Sequence, residues 1–214
     1  MGTGYRRRPG GGSSLRLRPA ATAGAERGEG LTARSDTDLQ SREVTRRLPQ
    51  YREVIDLYRR AFPPEERLPL WHMRLMALRR DVGFRAWLDD GALVGLTYTV
   101  DSPATVWLFY LAVNDSVRSR GYGSRILNGV RRHAAGRTVV LELEPLDDGA
   151  PNLEQRRRRL AFYERGGFAL TGYRIHEGDQ SYSVMADGVF DPGAFRRLVF
   201  RFGLGLRRTS LTRE

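Results

Sequence analysis

The chain has 214 residues, 40% of them hydrophobic and 29% charged, which is enough for one folded domain with additional tails. Cysteine and lysine are both absent, which excludes disulfides, thiolate metal sites, cysteine nucleophiles, Schiff-base chemistry and the lysine of a P-loop. No apolar run approaches the ~20 residues that span a bilayer and no secretory signal is recognisable, so we expect a cytoplasmic protein without a membrane partner.

The net charge of +11 is concentrated at the two ends of the chain. Residues 1–40 and 187–214 carry a net charge of +3 each, which leaves +5 for residues 41–186. Residues 1–40 nearly lack large apolar side chains, so we expect a disordered tail. Residues 41–186 are expected to form the folded domain. The extension 187–214 opens with an Asp-Pro helix start and mixes Phe and Leu with Arg, which favours an extra packed helix.

The first half of the domain predicts two helices followed by three strands. Apolar residues recur at helical spacing, and Pro63-Pro64 ends the first helix. Asp89-Asp90-Gly91 is typical of a hairpin turn, and the run VWLFYLAV is typical of a central strand covered on both faces. The predicted elements are helices Pro49–Phe62 and Glu65–Arg80, and strands Phe84–Leu88, Leu93–Val100 and Val106–Val113.

The second half alternates helices with strands and then closes with a hairpin. Gly166-Gly167 is a helix C-terminal signal, and Glu177-Gly178-Asp179 marks a turn. The order of elements indicates an α/β (α+β) fold, with a mixed sheet and helices on its faces. The predicted elements are helix Gly121–Ala135, strand Val139–Glu144, helix Asn152–Gly166, and strands Phe168–Ile175 and Ser181–Ala186.

A candidate anion site lies between the central strand and the helix that follows it. The strand ends, a polar turn follows, and Gly121 and Gly123 open an amphipathic helix. The unpaired N–H groups of a first helical turn and the helix dipole attract phosphate, and glycine permits close approach. Arg118 and Arg120 add positive charge, and Ser124 adds a hydroxyl. A helix that merely uses glycine for a tight turn would have the same pattern.

Two motifs in order give the sequence its resemblance to a known family. Val117-Arg118-x-x-Gly121-x-Gly123-Ser124 resembles the R/Q-x-x-G-x-G/A signature of the GNAT superfamily of acyl-CoA-dependent N-acyltransferases. The segment 160–168, LAFYERGGF, resembles the family's second signature and follows about 40 residues later, with a strand between. The resemblance covers about residues 45–186. It implies a GNAT-like, centrally splayed mixed sheet flanked by about four helices.

The resemblance implies acetyl-CoA as the co-substrate and assigns roles to matching positions. The strand end would pair with the pantetheine arm, the turn would hold the pyrophosphate mostly through N–H groups, and Tyr163 would protonate the departing thiolate. One position departs from the family: Arg156 stands where many relatives carry a cofactor-contacting Asn. The implied cofactor-binding residues are Leu111, Ala112, Val113, Arg118, Ser119, Arg120, Gly121, Tyr122, Gly123 and Ser124.

The acceptor of such an enzyme is an amine that must lose a proton before it attacks. An amine of pKa about 10.4 is less than about 0.1% neutral at pH 7, so a base assists. Glu142 and Glu144 alternate onto one face of a strand beside the cofactor strand, and we consider them as candidate bases. Pairing with arginines such as Arg157 or Arg174 is an equal alternative. The absence of cysteine favours direct attack in a ternary complex.

The sequence leaves three candidate functions, and each predicts a different experimental result. The first is N-acetyl transfer to a small-molecule or peptide amine. The second is a non-catalytic acyl-CoA-binding regulatory domain, which would bind without turnover. The third is nucleic-acid binding through the arginine-rich ends, which would weaken with salt; the core shows no aromatic-basic interleaving, so no nucleic-acid partner is expected. No metal site is evident, and a homodimer is a common arrangement among similar proteins.

Overall fold

The computed structural model describes residues 39–117, 120–178, 180–203 and 209–214, without the side chain of Glu65. The expected tail lies outside the described residues up to residue 38, as do the turn residue Asp179 and the segment 204–208. Residues 39 and 40, which were predicted to belong to the tail, are part of the fold, because Leu39 is buried and a strand starts at Gln40.

One eight-stranded sheet forms the centre of the molecule, with strand order β1-β2-β3-β4-β5-β7-β6-β8. Neighbouring strands are antiparallel except for β4 and β5, which run parallel. The predicted mixed sheet is therefore confirmed. The strands are β1 Gln40–Glu43, β2 Val82–Asp89, β3 Ala92–Asp101, β4 Thr105–Val113, β5 Thr138–Leu143, β6 Ala169–Glu177, β7 Gln180–Ala186 and β8 Thr209–Arg213.

Five α-helices lie within the described ranges, compared with the four or so expected, together with short 3-10 turns at Pro64–Glu66 and Asp115–Val117. The additional helix comes from the C-terminal extension. The helices are α1 Tyr51–Ala61, α2 Leu70–Met76, α3 Tyr122–Ala134, α4 Leu153–Arg165 and α5 Pro192–Phe202.

The predicted helix Glu65–Arg80 is wrong in its extent. The chain forms a 3-10 turn at Pro64–Glu66, runs extended to Pro69, and only then enters α2. Proline has no N–H for the helical ladder and restricts the residue before it to extended conformations. Pro69 therefore prevents a continuous helix and becomes the N-cap of a shorter one.

The parallel strands β4 and β5 separate part-way along their length. Their register runs only from Thr105↔Thr138 to Trp107↔Val140, although β4 continues to Val113 and β5 to Leu143. Just beyond the last pair, the β3–β4 register shifts so that Phe109 is an extra residue in β4. A bulge of this kind bends a strand and increases its twist. The sheet is thus splayed at its centre, as expected.

Helices cover both faces of the sheet. On one face, α1 contacts Tyr110 through Tyr58 and Phe62, with ring centroids 5.3 and 4.6 Å apart. On the other face, Ile126 of α3 packs so closely that a Cβ atom at Gly95 would lie 2.5 Å from its Cδ1 atom. Glycine at this position of β3 lets α3 approach the sheet.

The C-terminal extension folds back onto the domain. In α5, Phe202 packs against Tyr98, Trp107 and Phe109 at centroid distances of 5.5–6.2 Å. The chain then returns as β8, which pairs antiparallel with β6. The predicted packed helix is therefore present, and it is accompanied by an edge strand that the polar sequence TSLTR did not indicate.

We expect the Phe202→Ala substitution to destabilise the protein by about 3–5 kcal/mol, because it leaves a cavity among three buried rings. Phe200→Ala is the matched control on the same helix, since Phe200 is 65% exposed; its effect should stay within about 0.5 kcal/mol. Urea unfolding of both variants measures the difference. Equal losses would show that α5 does not pack as described.

Candidate active site

The N-terminus of α3 points a set of backbone donors at the turn after β4. Gly121 precedes the helix with φ of 71°, a left-handed conformation that favours glycine. The first helical acceptor is the Gly121 carbonyl, which Arg125 N–H reaches at 3.2 Å. The N–H groups before Arg125 therefore have no partner inside the helix. The N-cap residue is a glycine and supplies no side-chain cap, and the first turn contains no acidic residue, which suits an anion.

Gly123 is needed because another predicted motif packs against it. A Cβ atom at this position would lie 3.0–3.1 Å from the ring of Phe162 and 3.6 Å from Cγ2 of Val113. Phe162 belongs to α4 and precedes Tyr163, while Val113 ends β4. The structure therefore brings the helix start, the end of β4 and the second signature together at one point.

The hairpin between β2 and β3 fixes the first turn of α3 from outside. Tyr122 donates its hydroxyl to Asp89 Oδ2 at 2.8 Å, and Arg125 donates to the same oxygen at 3.1 Å. The guanidinium carbon of Arg125 also lies 5.1 Å from the centroid of the Tyr122 ring. The Tyr122 side chain is thus committed to Asp89, so only its backbone N–H remains for an anion. The sequence predicted Asp89 only as a turn residue and gave no sign of its contacts with α3.

The end of β4 offers one edge of backbone that no described strand covers. Leu111, Ala112 and Val113 pair with β3 on one side, opposite Thr97 through Gly95. On the side of β5, no strand pairing continues past Trp107 within the described residues. Because alternate N–H and C=O groups of a strand point to opposite edges, this free edge presents donors and acceptors to an extended ligand.

The hydroxyl of Tyr163 is buried and unpaired. The residue is 1% exposed, and its ring packs between Phe162 and Phe168 at centroid distances of 5.1 and 5.8 Å. In the part of the chain that the structure describes, the hydroxyl forms no hydrogen bond. Burial raises the pKa of Tyr163 to about 12, an effect that the nearby charge of Arg159 partly opposes. A neutral phenol is therefore held in the core with one donor available.

The two candidate carboxylates have different environments. Glu142 lies on β5 and is 1% exposed. Glu144 lies just beyond the strand and pairs with two arginines of α4, Arg156 at 3.1 Å and the buried Arg159 at 2.9 Å. The predicted alternative of ion pairing therefore holds for Glu144, but with other arginines than Arg157 and Arg174. Those two pair elsewhere, Arg157 with Glu154 and Arg174 with Glu214.

Arg156, in the first turn of α4, holds the loop that precedes this helix. It donates to Asn152 Oδ1 at 2.8 Å and to the Pro145 carbonyl at 2.8 Å, besides its ion pair with Glu144. The position where many relatives carry Asn is thus a structural brace here. A hollow of about 440 Å³ lies beside it, at the start of α4, and is lined by Ala150, Pro151, Asn152, Leu153, Glu154, Gln155 and Arg158.

Buried tyrosines fasten the segment between α1 and α2 over β4. Tyr110 donates to the Glu66 carbonyl at 2.7 Å and accepts from the Leu68 N–H at 3.1 Å. Tyr58 donates to the Leu68 carbonyl at 3.0 Å. This segment therefore lies against the splayed half of β4, where it borders the cleft. The sequence suggested these tyrosines only as core aromatics.

The remaining predicted cofactor residues are placed as follows. Arg120 and Ser124 are exposed at the turn, beside Gly121. Arg118 and Ser119 lie outside the described residues, so their predicted roles stay predictions. No group of three or more His, Asp or Glu within the described ranges could hold a metal ion. No helix in those ranges is long and apolar enough to cross a membrane.

The family model of the acetyltransferase (GNAT) family matches residues 51–168. The chain belongs to this family. The match spans both signatures, the splayed strands and Tyr163. No curated protein sequence matches the chain significantly.

Solved structures of GNAT enzymes share the fold. A Bacteroides thetaiotaomicron protein described as a GNAT-family acetyltransferase has 26% identity and a TM-score of 0.63, covering 78% of this chain and 97% of its own. An aminoglycoside 6'-N-acetyltransferase complexed with coenzyme A has 22% identity and a TM-score of 0.55, covering 72% and 99%. The Enterococcus faecium aminoglycoside 6'-N-acetyltransferase has 21% identity and a TM-score of 0.54, with the same coverage.

We expect the Tyr163→Phe protein to be at least as stable as the parent at pH 7, because the lost hydroxyl has no hydrogen-bond partner among the described residues. Tyr98→Phe is the matched control: the buried Tyr98 hydroxyl donates to the Met73 carbonyl at 3.2 Å, and its loss should cost about 1 kcal/mol. Urea unfolding measures both.

The pH dependence follows from the raised pKa of Tyr163. The neutral phenol stabilises the fold fully below its ordinary pKa of about 10, and this contribution is lost as pH rises towards about 12. Above pH of about 10 the parent should therefore lose more stability than Tyr163→Phe. A clear loss at pH 7 in Tyr163→Phe would mean that the hydroxyl has a structural partner.

Proposed function

We propose that this protein is an N-acetyltransferase that moves the acetyl group of acetyl-CoA to an amine by direct attack in a ternary complex. The observation that carries the proposal is the convergence at Gly123 of three parts: the N-terminus of α3, the end of β4 at Val113, and the aromatic ring next to Tyr163. In acyl transfer these parts would bind the pyrophosphate, pair with the pantetheine arm and donate a proton to the sulfur. Because one cofactor molecule must reach all three, they have to lie close together.

Acetyl-CoA is proposed to lie along the split between β4 and β5. The pyrophosphate would accept hydrogen bonds from the N–H groups of Gly121 through Ser124, assisted by the helix dipole. Arg118, Ser119 and Arg120 are proposed to complete this site. The amide groups of the pantetheine arm would pair with the free edge of Leu111–Val113, as an added strand does.

The chemical step needs a proton donor near the thioester. The acceptor nitrogen attacks the acetyl carbonyl carbon, the C–S bond breaks, and coenzyme A leaves as a thiolate. Tyr163 is proposed to donate its hydroxyl proton to that sulfur. Its raised pKa keeps the phenol protonated at neutral pH, and the phenolate would recover a proton from those that the acceptor nitrogen releases.

The acceptor nitrogen loses protons as it becomes an amide. Between the candidate carboxylates, Glu142 is the better base, because Glu144 is held by two guanidinium groups that stabilise its charged form. Glu142 lies on the splayed half of β5, beyond the last pair with β4. A base there would act at the cleft, directly or through water.

The proposed acceptor is a small molecule or peptide that carries a primary amine. The fold likeness to aminoglycoside acetyltransferases makes aminoglycosides one arm of an amine panel, beside polyamines, amino acids and peptide N-termini.

Turnover by four proteins tests the proposal: the parent, Tyr163→Phe, Glu142→Gln and Glu144→Gln. With acetyl-CoA and the amine panel, release of free thiol should fall by about 10²–10⁴-fold in Tyr163→Phe and in Glu142→Gln. Glu144→Gln should retain turnover at low temperature but unfold at lower urea, because it leaves buried Arg159 without that ion pair.

The same assay separates the competing functions. Binding of acetyl-CoA by the parent without acceptor-dependent thiol release would favour the regulatory acyl-CoA-binding domain. Unchanged kcat in Tyr163→Phe would contradict its role as the acid.

A further inference from the structure

A second cavity lies away from the proposed active site, between the first strands of the sheet and the second half of α3. Its volume is about 260 Å³. It shares no lining residue with the turn Gly121–Ser124 or with Tyr163. Its lining consists of Leu39, Ser41, Arg85, Trp87, Thr97, Thr99, Gly129, Val130, Arg132 and His133.

Arg85 is the feature of this cavity that points to a ligand. Most half-buried arginines of the domain have a carboxylate partner, such as Asp81 for Arg79, Asp89 for Arg125 and Asp187 for Arg131. No carboxylate lies within ion-pairing distance of Arg85 among the described residues. A half-buried guanidinium without a carboxylate partner can take an anionic ligand as its counter-charge.

The direction of the Arg85 side chain is informative. The cross-strand neighbour of Arg85 in the β1–β2 register is Glu43, which offers a carboxylate. The guanidinium instead reaches Ser41 Oγ, at 3.3 Å, and Ser41 lines the cavity. The charge is therefore directed into the cavity although an acid stands opposite it on the next strand.

The rest of the lining suits a small organic anion. Arg132 adds a second permanent cation, and no acidic residue is among the lining residues. Thr97 accepts a hydrogen bond from Trp87 Nε1 at 2.9 Å, which leaves its own O–H available as a donor. Leu39, Val130 and the Trp87 ring supply apolar walls. A cationic end with hydroxyl donors and an apolar end complements a carboxylate or phosphate group on a compact apolar body.

The cavity is held open by tight packing. A Cβ atom at Gly129 would lie 2.4 Å from the Trp87 ring, so α3 already contacts this indole as closely as it can. Trp87 is 4% exposed and Thr99 is also 4% exposed, which places both in the buried wall of the cavity. The site is thus preformed rather than made by collapse around a ligand.

We propose that this cavity is a binding site for a small organic carboxylate or phosphate ester, with Arg85 as the main recognition residue. It is separate from acetyl transfer, and it stands on the geometry of β1, β2, β3 and α3.

Calorimetric titration of the full chain with sodium benzoate and with phenyl phosphate tests this proposal. Saturable 1:1 binding of either probe is expected, and the preferred probe identifies the anionic group. Affinity should fall about tenfold or more in Arg85→Gln, and should be unchanged in the control Arg60→Gln, whose arginine is exposed on α1.

Stability without ligand distinguishes recognition from a structural role. Because Arg85 has no carboxylate partner in the described part of the chain, the melting temperature of ligand-free Arg85→Gln should be no lower than that of the parent. The proposal is overturned if the parent binds neither probe, if Arg85→Gln binds as well as the parent, or if Arg85→Gln melts clearly earlier without ligand. None of these outcomes depends on acetyl-CoA or on turnover.

Discussion

The early end of hydrogen bonding between β4 and β5 is the constraint on which the rest of the structure depends. Only the first residues of the two parallel strands pair, up to Trp107↔Val140. A sheet that stayed closed would satisfy its backbone internally and would have no place for an extended ligand. Once the strands diverge, the edge at Leu111–Val113 must find other partners. The bulge at Phe109 bends β4 just where this divergence begins.

Side-chain contacts outside the β4–β5 pairing hold the elements around the split in place. Asp89 fixes the first turn of α3 through Tyr122 and Arg125. Gly123 joins that turn to Phe162. On α4, Arg159 joins the helix to Glu144, beyond the end of β5. The elements on both sides of the cleft are therefore held in place by contacts other than β4–β5 strand pairing, which is the preorganisation that catalysis requires.

The sequence predicted most of the fold because local signals agree with the final structure. The hairpin at Asp89-Asp90-Gly91 forms as expected, with Asp90 and Gly91 both at positive φ. The strand β4 and the helices α1, α3 and α4 differ from their predicted limits by only one or two residues. The strand β8 was missed because its sequence is polar and pairing with β6 alone makes it a strand. The predicted length of α2 was wrong because Pro69 disfavours helical conformation in the residue before it, so the helix begins only at Leu70.

The site was less predictable, since its geometry depends on contacts between distant segments. Both signatures were visible, but only packing shows that Gly123 and Phe162 meet. The run Arg156–Arg159 gives no clue about which guanidinium reaches Glu144, because that depends on how α4 lies against the loop before it. The commitment of the Tyr122 side chain to Asp89 is equally invisible in sequence. Pairings among 36 arginines are decided by tertiary structure rather than by pattern.

The most direct test of the account is calorimetric titration of acetyl-CoA into the parent, Ser124→Glu and Asn128→Glu. Both residues are exposed on α3, so each variant adds one negative charge to the same helix without a buried clash. A glutamate in the first turn favours the helix itself, so Ser124→Glu should fold well. We predict saturable binding to the parent and to Asn128→Glu, and at least about tenfold weaker binding to Ser124→Glu, because the new carboxylate repels the pyrophosphate. Equal affinity of all three proteins, or no binding to the parent at low salt, would contradict the placement of the cofactor at this helix.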